Sequence, residues 1–371
     1  MTLLFEAVPN VSEGRRAEVV DAIAGAAGAL SGLLDAHADP VHNRAVISLA
    51  GFAESMVAAL AAVVESSARL IDLRAHSGVH PRVGAADVLP VVPLGGASMA
   101  EAATVARAAG ERIWAELQVP VFFYGAAGDG RTLADIRAGR VLPDLGGPDP
   151  HPSAGAACLG ARGPLVAYNV LLEGATAASA AALARSLRPR HGGPPGVQAL
   201  AFDFTGGVWQ LSMNLVELER TPPAAALAEV RRRAARLGIG VGPDEVVGLC
   251  PAAFVAPSGA GRVLEARLAA AGARRSAAAA RARGGEEMER LAQRLVAAAA
   301  GLAATATGQD DLLAAAEAAA ALPRVLGAAR LPEPEAVAML DLAARGLRAA
   351  LHPETLRRRR ERVRLLDRGL G

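Results

Sequence analysis

At 371 residues, with 39 basic against 37 acidic side chains and a formal net charge of +2, the chain has room for two domains and no global field that demands nucleic acid or a membrane surface. Every basic side chain counted is arginine, and the alanine-rich stretches are broken by charge too often to span a bilayer. Cys158 and Cys250 lack metal-ligand spacing, and Met1 to Glu6 has neither a basic start nor a long apolar core, so a cytoplasmic protein without a secretory signal is expected. Thr2 to Val8 reads as a strand, and Arg15 to Ala29 as a helix with Val19 and Ile23 inward. Ala45 to Leu49 predicts a strand, and Met56, Val57, Leu60, Val63 and Val64 mark an amphipathic helix. Val88 to Val92 is a strand, Met99 to Leu117 a helix and Val121 to Tyr124 another strand. Gly146 to Pro152 has linker composition. The pattern then recurs more compactly: strand Leu165 to Leu172, helix Ala177 to Leu187, a hairpin of Val197 to Phe204 and Val208 to Leu215 across Gly206-Gly207, and helix Pro223 to Leu237. Such alternation, with strands in adjacent pairs, predicts an α+β sandwich rather than a doubly wound parallel sheet.

From about Arg275 onward the chain is nearly all Ala, Leu, Arg and Glu. Three or four helices are expected there, broken at Pro323, Pro332, Pro334 and Pro353. Arg357 to Arg364 is a basic run that reads as a solvated helix end, with an acidic partner or nucleic acid as the alternative; nucleic acid is not otherwise expected as a partner.

The densest chemistry lies in His76-Ser77-Gly78-Val79-His80-Pro81-Arg82-Val83-Gly84-Ala85-Ala86-Asp87. It places two imidazoles, a guanidinium, a carboxylate and two glycines in a turn-forming segment just before a strand. Histidine titrates near neutrality and can take and return a proton within one cycle. Pro81 biases His80 to an extended backbone, and Gly78 and Gly84 permit sharp turns or close approach. The same features also suit ordinary loop punctuation, so spacing alone leaves catalytic and structural readings open. A paired-histidine metal site wants both rings on one helical face, which Gly78 and Pro81 oppose; no metal is expected.

Further blocks stand in order along the chain: Glu6-Ala7-Val8-Pro9-Asn10-Val11-Ser12-Glu13-Gly14-Arg15, Asn43-Arg44, Val119 to Gly125, Ala134 to Gly139, Gly160-Ala161-Arg162, Val166 to Asn169, Met213-Asn214-Leu215 and Val246 to Pro251. Together with the histidine loop, this series resembles the formiminotransferase domain of glutamate formiminotransferase and of the bifunctional formiminotransferase–cyclodeaminase. The resemblance runs from about residue 3 to about residue 256. It implies an α+β fold of two ferredoxin-like subdomains, taken here as residues 1–150 and 151–270, followed by a helical extension, 271–371, that the resemblance does not reach. No glycine-rich motif of a cyclodeaminase domain is recognised in that extension.

The resemblance implies transfer of a formimino group from N-formimino-L-glutamate to tetrahydrofolate as co-substrate, giving 5-formiminotetrahydrofolate and glutamate, in histidine degradation and one-carbon metabolism. It also implies a homodimer. His80 matches the family's catalytic histidine, and His76 is assigned support or substrate contact. The substrates carry several carboxylates, which arginine recognises bidentately, so Arg82, Arg44 and Arg162 are candidates; each could instead pair with Asp35, Asp39 or Asp87. Asn10, Asn43, Asn169 and Asn214 could bind ligand or cap turns. Ser153 and Gly155 lie in the segment that aligns with the family's folate contact, where Ala154 replaces an expected aromatic residue. Two alternatives stay open: formyl transfer from N-formylglutamate, and a non-catalytic paralogue that binds folate or a partner.

Overall fold

In the computed structural model, residues 3–78, 81–331 and 333–367 are described; Val79 and His80 lie outside them. The chain divides into two compact units, residues 1–248 and 249–371.

The first unit begins with β1 (Leu4–Ala7) and β2 (Asn10–Val11), two pieces of one line interrupted near Pro9. Both pair antiparallel with the later strands β4 and β5 on either side. Helix α1 (Ala17–Gly28) leads to the hairpin β3 (Gly32–Asp39) and β4 (Arg44–Gly51), then α2 (Ala53–Leu70) and β5 (Ala86–Leu94). The order across the sheet is β3, β4, the β1–β2 line, β5. This is a βαββαβ unit with its strands split around the first, as expected of a ferredoxin-like subdomain. Helix α3 (Met99–Leu117), β6 (Val121–Gly125), the short α4 (Leu133–Arg137) and β7 (Ala157–Ala161) extend it, with β7 parallel between β5 and β6. A strand from beyond residue 150, the expected boundary, thus completes the first sheet.

Helices α1 to α3 cover one face of this sheet. Ile47, Leu49, Leu89, Val91 and Leu159 pack there with Ile23, Met56, Leu60 and Ile113, all fully buried. Ser98 and Glu101 form a reciprocal capping box that starts α3 where Met99 was expected to begin it. Because Ala45, Ile47 and Leu49 point to the helices, strand alternation turns Arg44, Val46 and Ser48 to the opposite face.

The second sheet comes from β8 (Val166–Glu173), α5 (Ala177–Ser186), β9 (Val197–Thr205), β10 (Val208–Leu215), α6 (Pro223–Arg236) and β11 (Gly240–Val247). Its order β11-β8-β10-β9, antiparallel throughout, repeats the split βαββαβ arrangement. Gly206 and Gly207 hold positive φ at the expected hairpin turn. Tyr168, Val170, Leu211 and Met213 share one buried face of this sheet. The other face presents Asn169, Gln210, Ser212, Asn214 and Phe202, and it looks toward the first sheet. His42, in the β3–β4 turn, stacks edge-on against Phe202 with ring centroids 5.6 Å apart, and His37 Nε2 lies 3.5 Å from Glu245 Oε1.

The second unit is helical: α7 (Leu264–Arg283), α8 (Glu286–Ala303), α9 (Gln309–Ala328), α10 (Pro334–Ala349) and α11 (Pro353–Asp367). Among the described residues four helices begin after Arg275, where three or four were expected, and α7 begins ahead of residue 271. Pro323 does not break the chain; it sits inside α9, where its missing N–H forfeits one helical hydrogen bond. Gly272 lets α7 approach α10 closely, since a Cβ there would meet Ala336 O at 2.9 Å. Arg275 and Glu335 form a mostly buried ion pair at 2.9 Å. Among the described residues, no helix is long and apolar enough to cross a membrane.

Candidate active site

The segment Asn10 to Arg16 explains itself locally. Buried Glu13 turns back, and its Oε1 accepts the N–H groups of Gly14, Arg15 and Arg16 at 3.0, 2.9 and 3.0 Å, while Arg16 Nε donates to Oε2 at 2.6 Å. Burial works against that carboxylate, but these donors outweigh it and hold Glu13 below its ordinary range. An anion thereby sits ahead of α1 where unpaired N–H groups gather. Ser12 Oγ donates to Gly84 O at 2.8 Å, and Ser12 N–H to Ala85 O at 2.7 Å, tying this turn to the histidine loop. Gly14 has no space for a side chain, since a Cβ would lie 2.2 Å from Asp39 O.

Asn43 takes a left-handed conformation, φ 48°, in the β3–β4 turn. Its Oδ1 accepts the Gly14 N–H at 3.0 Å and its Nδ2 donates to Ser77 O at 2.9 Å, so one amide joins two loops. In the same turn Asp39 Oδ2 lies 2.6 Å from His42 Nδ1, and Asp39 Oδ1 accepts the Val41 and His42 N–H groups. Arg44 Nε donates to Asn10 Oδ1 at 3.1 Å, and its Nη1 to Asp87 Oδ2 at 2.7 Å.

Asp87 is the hub, with no exposed surface. Its Oδ1 accepts Val83 N–H at 2.6 Å and Gly84 N–H at 3.3 Å, and its Oδ2 accepts from Arg44 and from Arg137 Nη2, the latter at 3.1 Å. Burial would raise its pKa; the Arg44 guanidinium, the Val83 N–H and Arg137 together hold it below the usual carboxylate range. The loop is pinned from its far side too. Gly84 bridges Gly155, which carries φ 70°, and Cβ atoms at these two positions would lie 1.9 Å from Ala156 O and 2.3 Å from Val83 O. Leu73 N–H donates to Ser153 O at 2.9 Å.

Within the loop, Arg82 Nη1 donates to His76 Nε2 at 3.4 Å. Acceptance at Nε2 leaves the imidazole proton on Nδ1, a buried atom with no partner among the described residues. Burial and the neighbouring Arg44 push the Arg82 guanidinium pKa down, and Asp87 opposes this. His80, the histidine assigned to catalysis, lies outside the described residues, between Gly78 and Pro81.

Of the candidate residues, His76, Arg82, Asn10, Asn43 and Arg44 form one connected group around Asp87, and Ser153 and Gly155 buttress it. Arg162 stands apart at the end of β7, donating from Nη1 to Gly163 O at 2.9 Å. Asn169 and Asn214 lie on the inner face of the second sheet; Asn214 is exposed, whereas Asn169 Oδ1 is buried without a partner among the described residues. Gln210 Oε1 on that face and Ser48 Oγ on the facing sheet share this condition. These three buried oxygens between two sheets, unpaired among the described residues, mark a place where a ligand's N–H groups, or water, would be received. Sequence reading missed Gln210, Ser48 and Arg137. Arg137 was quoted only as part of a matching block, and no local signal links it to Asp87, fifty positions away. Among the described residues, no three His, Cys, Asp or Glu side chains converge as a metal site.

The model of the formiminotransferase domain, N-terminal subdomain, matches residues 4–162, which span the whole first sheet. A glutamate formimidoyltransferase of Thermoplasma acidophilum is 37% identical over 267 residues, covering 67% of this chain and 88% of the relative. The chain belongs to the formiminotransferase family. A glutamate formimidoyltransferase of Streptococcus pyogenes serotype M1 is 33% identical over 270 residues, 68% of this chain and 90% of the relative. The formimidoyltransferase-cyclodeaminase of Rattus norvegicus is 38% identical over 275 residues, 68% of this chain but 51% of the relative, so the chain aligns with about half the length of that longer relative. The family's transferase part therefore accounts for about two thirds of the chain.

Proposed function

We propose that this protein transfers the formimino group of N-formimino-L-glutamate to tetrahydrofolate, releasing L-glutamate and 5-formiminotetrahydrofolate, with His80 as the proton carrier. The observation that carries the reading is the construction of the loop around His80. Ser12, Asn43 and Gly155 fasten it from three separate segments and Asp87 clamps it from within, which is far more than a surface turn requires. Such fastening supports pre-organisation of a catalytic group.

In the reaction, a folate ring nitrogen bonds to the amidine carbon and loses a proton. The bond from that carbon to the glutamate nitrogen then breaks, and this nitrogen gains a proton. One imidazole set between the two nitrogens moves the proton from the first to the second, and such general acid–base catalysis contributes roughly 100- to 10,000-fold. In this reading His76 and Arg82, from the same loop, contact the substrates, while Asn10, Asn43 and Arg44 hold the loop. Asn169 Oδ1, Gln210 Oε1 and Ser48 Oγ offer acceptors to the N–H groups of a pterin between the sheets, and Asn214, Ser153, Gly155 and Arg162 border that space in this reading. The tetrahydrofolate dependence, the cytoplasmic setting and a homodimer belong to the same proposal; the names of the relatives support its transferase core.

The test measures glutamate released from N-formimino-L-glutamate by mass spectrometry, with and without tetrahydrofolate, in parent and His80→Ala. Release that needs both tetrahydrofolate and His80, with tetrahydrofolate still bound by the variant, is expected. Equal turnover by the two proteins would remove His80 from the mechanism, and release without tetrahydrofolate would replace transfer by hydrolysis.

A further inference from the structure

We infer that Arg137, held by Asp87, receives the α-carboxylate of the glutamate donor; this rests on the proposed transfer reaction. Two guanidinium groups, Arg44 and Arg137, share Asp87 Oδ2, so this part of the site carries two positive charges on one negative. The two arginines are used differently. Arg44 directs Nε to Asn10 and Nη1 to Asp87, and its side chain is only 12% exposed. Arg137 makes one hydrogen bond among the described residues, to Asp87, although a guanidinium has five N–H donors. Its Nε is buried and has no partner among the described residues, yet a quarter of the side chain remains exposed. A guanidinium gripped by one carboxylate, with its buried Nε unmatched and part of its side chain open to the surface, has donors left for a second anion, because buried polar groups are ordinarily hydrogen-bonded.

Placement says which anion completes it. Asp87 Oδ1 clamps the N–H groups of Val83 and Gly84, and Asp87 Oδ2 clamps Arg137, so the guanidinium stands one carboxylate's width from the histidine loop. In the donor, the nitrogen that must be protonated is bonded to the carbon bearing the α-carboxylate. That carboxylate therefore lies two bonds from the leaving atom, wherever the proton carrier sits. An arginine fixed to the same loop as the proton carrier, with N–H groups to spare, is the partner such a geometry needs. Asp87 acts through Arg137 as a positioning residue. The folate tail also carries carboxylates, and the experiment separates the two sources.

The full chain is compared as parent, Arg137→Gln and Arg137→Lys. The donor KM should rise about ten- to a hundredfold in Arg137→Gln, as expected for loss of a charge-assisted hydrogen bond, with kcat changed far less. The KM for tetrahydrofolate and for tetrahydropteroate, which lacks the glutamate tail, should stay unchanged. Calorimetric binding of L-glutamate, which needs no transfer, should weaken in parallel, and added guanidinium ion should restore part of it. Arg137→Lys keeps a charge on Asp87 and serves if the glutamine variant does not fold; it should retain donor binding in part. A folded Arg137→Gln with parental donor KM and glutamate affinity would overturn the inference. So would a rise confined to the tetrahydrofolate KM and absent with tetrahydropteroate, which would assign Arg137 to the tail. A parent that binds glutamate through Arg137 but transfers no formimino group would remove the proposed reaction and leave a glutamate site.

Discussion

Replacing Asp87 by Asn is the most revealing single change in the first unit. Asparagine is nearly isosteric and keeps an oxygen for the Val83 and Gly84 N–H groups, so the backbone clamp survives in form. The charge does not survive, and Arg44 at 2.7 Å and Arg137 at 3.1 Å lose their common counter-ion. Asp87 is wholly buried, so water cannot take its place readily. Removing one partner of a buried ion pair costs about 3–5 kcal/mol, because the remaining charge is left uncompensated. For a unit of 248 residues, each kcal/mol shifts the midpoint by roughly 2–4 °C, so the calorimetric transition of that unit should fall by about 6–20 °C at pH 7. The pH dependence gives a second check. The folded-state pKa of Asp87 is depressed, so its ionic stabilisation is fully present above the unfolded carboxylate value of about 3.9 and is lost as the pH falls through the folded value. The gap between parent and variant should therefore shrink in acid. A midpoint shift below about 2 °C at neutral pH, or a gap that does not shrink in acid, would refute the idea that this carboxylate organises the site.

Two other outcomes follow from the same geometry. Gly84→Ala forces a Cβ to within 1.9 Å of Ala156 O and should separate the loop from its buttress, costing about 1–3 kcal/mol and most of the transfer rate; Gly163→Ala, with open space around it, should melt and turn over as the parent does. Burial pushes the Cys250 thiol up to about 12, with Glu265 adding to the effect, and raises Cys158 as well, so neither should react with a thiol reagent at pH 8 until denaturant is added. Rapid labelling of the native protein would contradict that burial.

Long, strongly periodic elements were legible in the residues. Helix α3 and the β9–β10 hairpin lie where apolar spacing and the Gly206-Gly207 pair place them. Strands that depend on distant partners were not. β7 reads Ala-Cys-Leu-Gly-Ala, a poor strand by composition, and is extended because β5 and β6 grip it from both sides. β3 turns Asp35, His37 and Asp39 to its more buried side and leaves Ala36 and Ala38 exposed, the reverse of the usual apolar alternation. β11 contains Gly242 and Pro243, at an irregularity in its pairing with β8. The site divides in the same way. Residue types announced the loop, but the pairing of Arg44 with Asp87 is a contact across 43 positions that no local pattern shows.

The late arrival of β7 has a consequence for how the molecule could be taken apart. The exposed passage 146–150 precedes both the Ser153–Ala156 buttress and β7. A chain severed there would leave one fragment with a vacant lane between β5 and β6 and an unsupported histidine loop. The other fragment would carry the strand that fills that lane. Each alone exposes unpaired strand edges, which favours recombination over separation. Catalytic competence would then be conferred in trans, by donation of a five-residue strand, and would appear only as fast as the two pieces find each other.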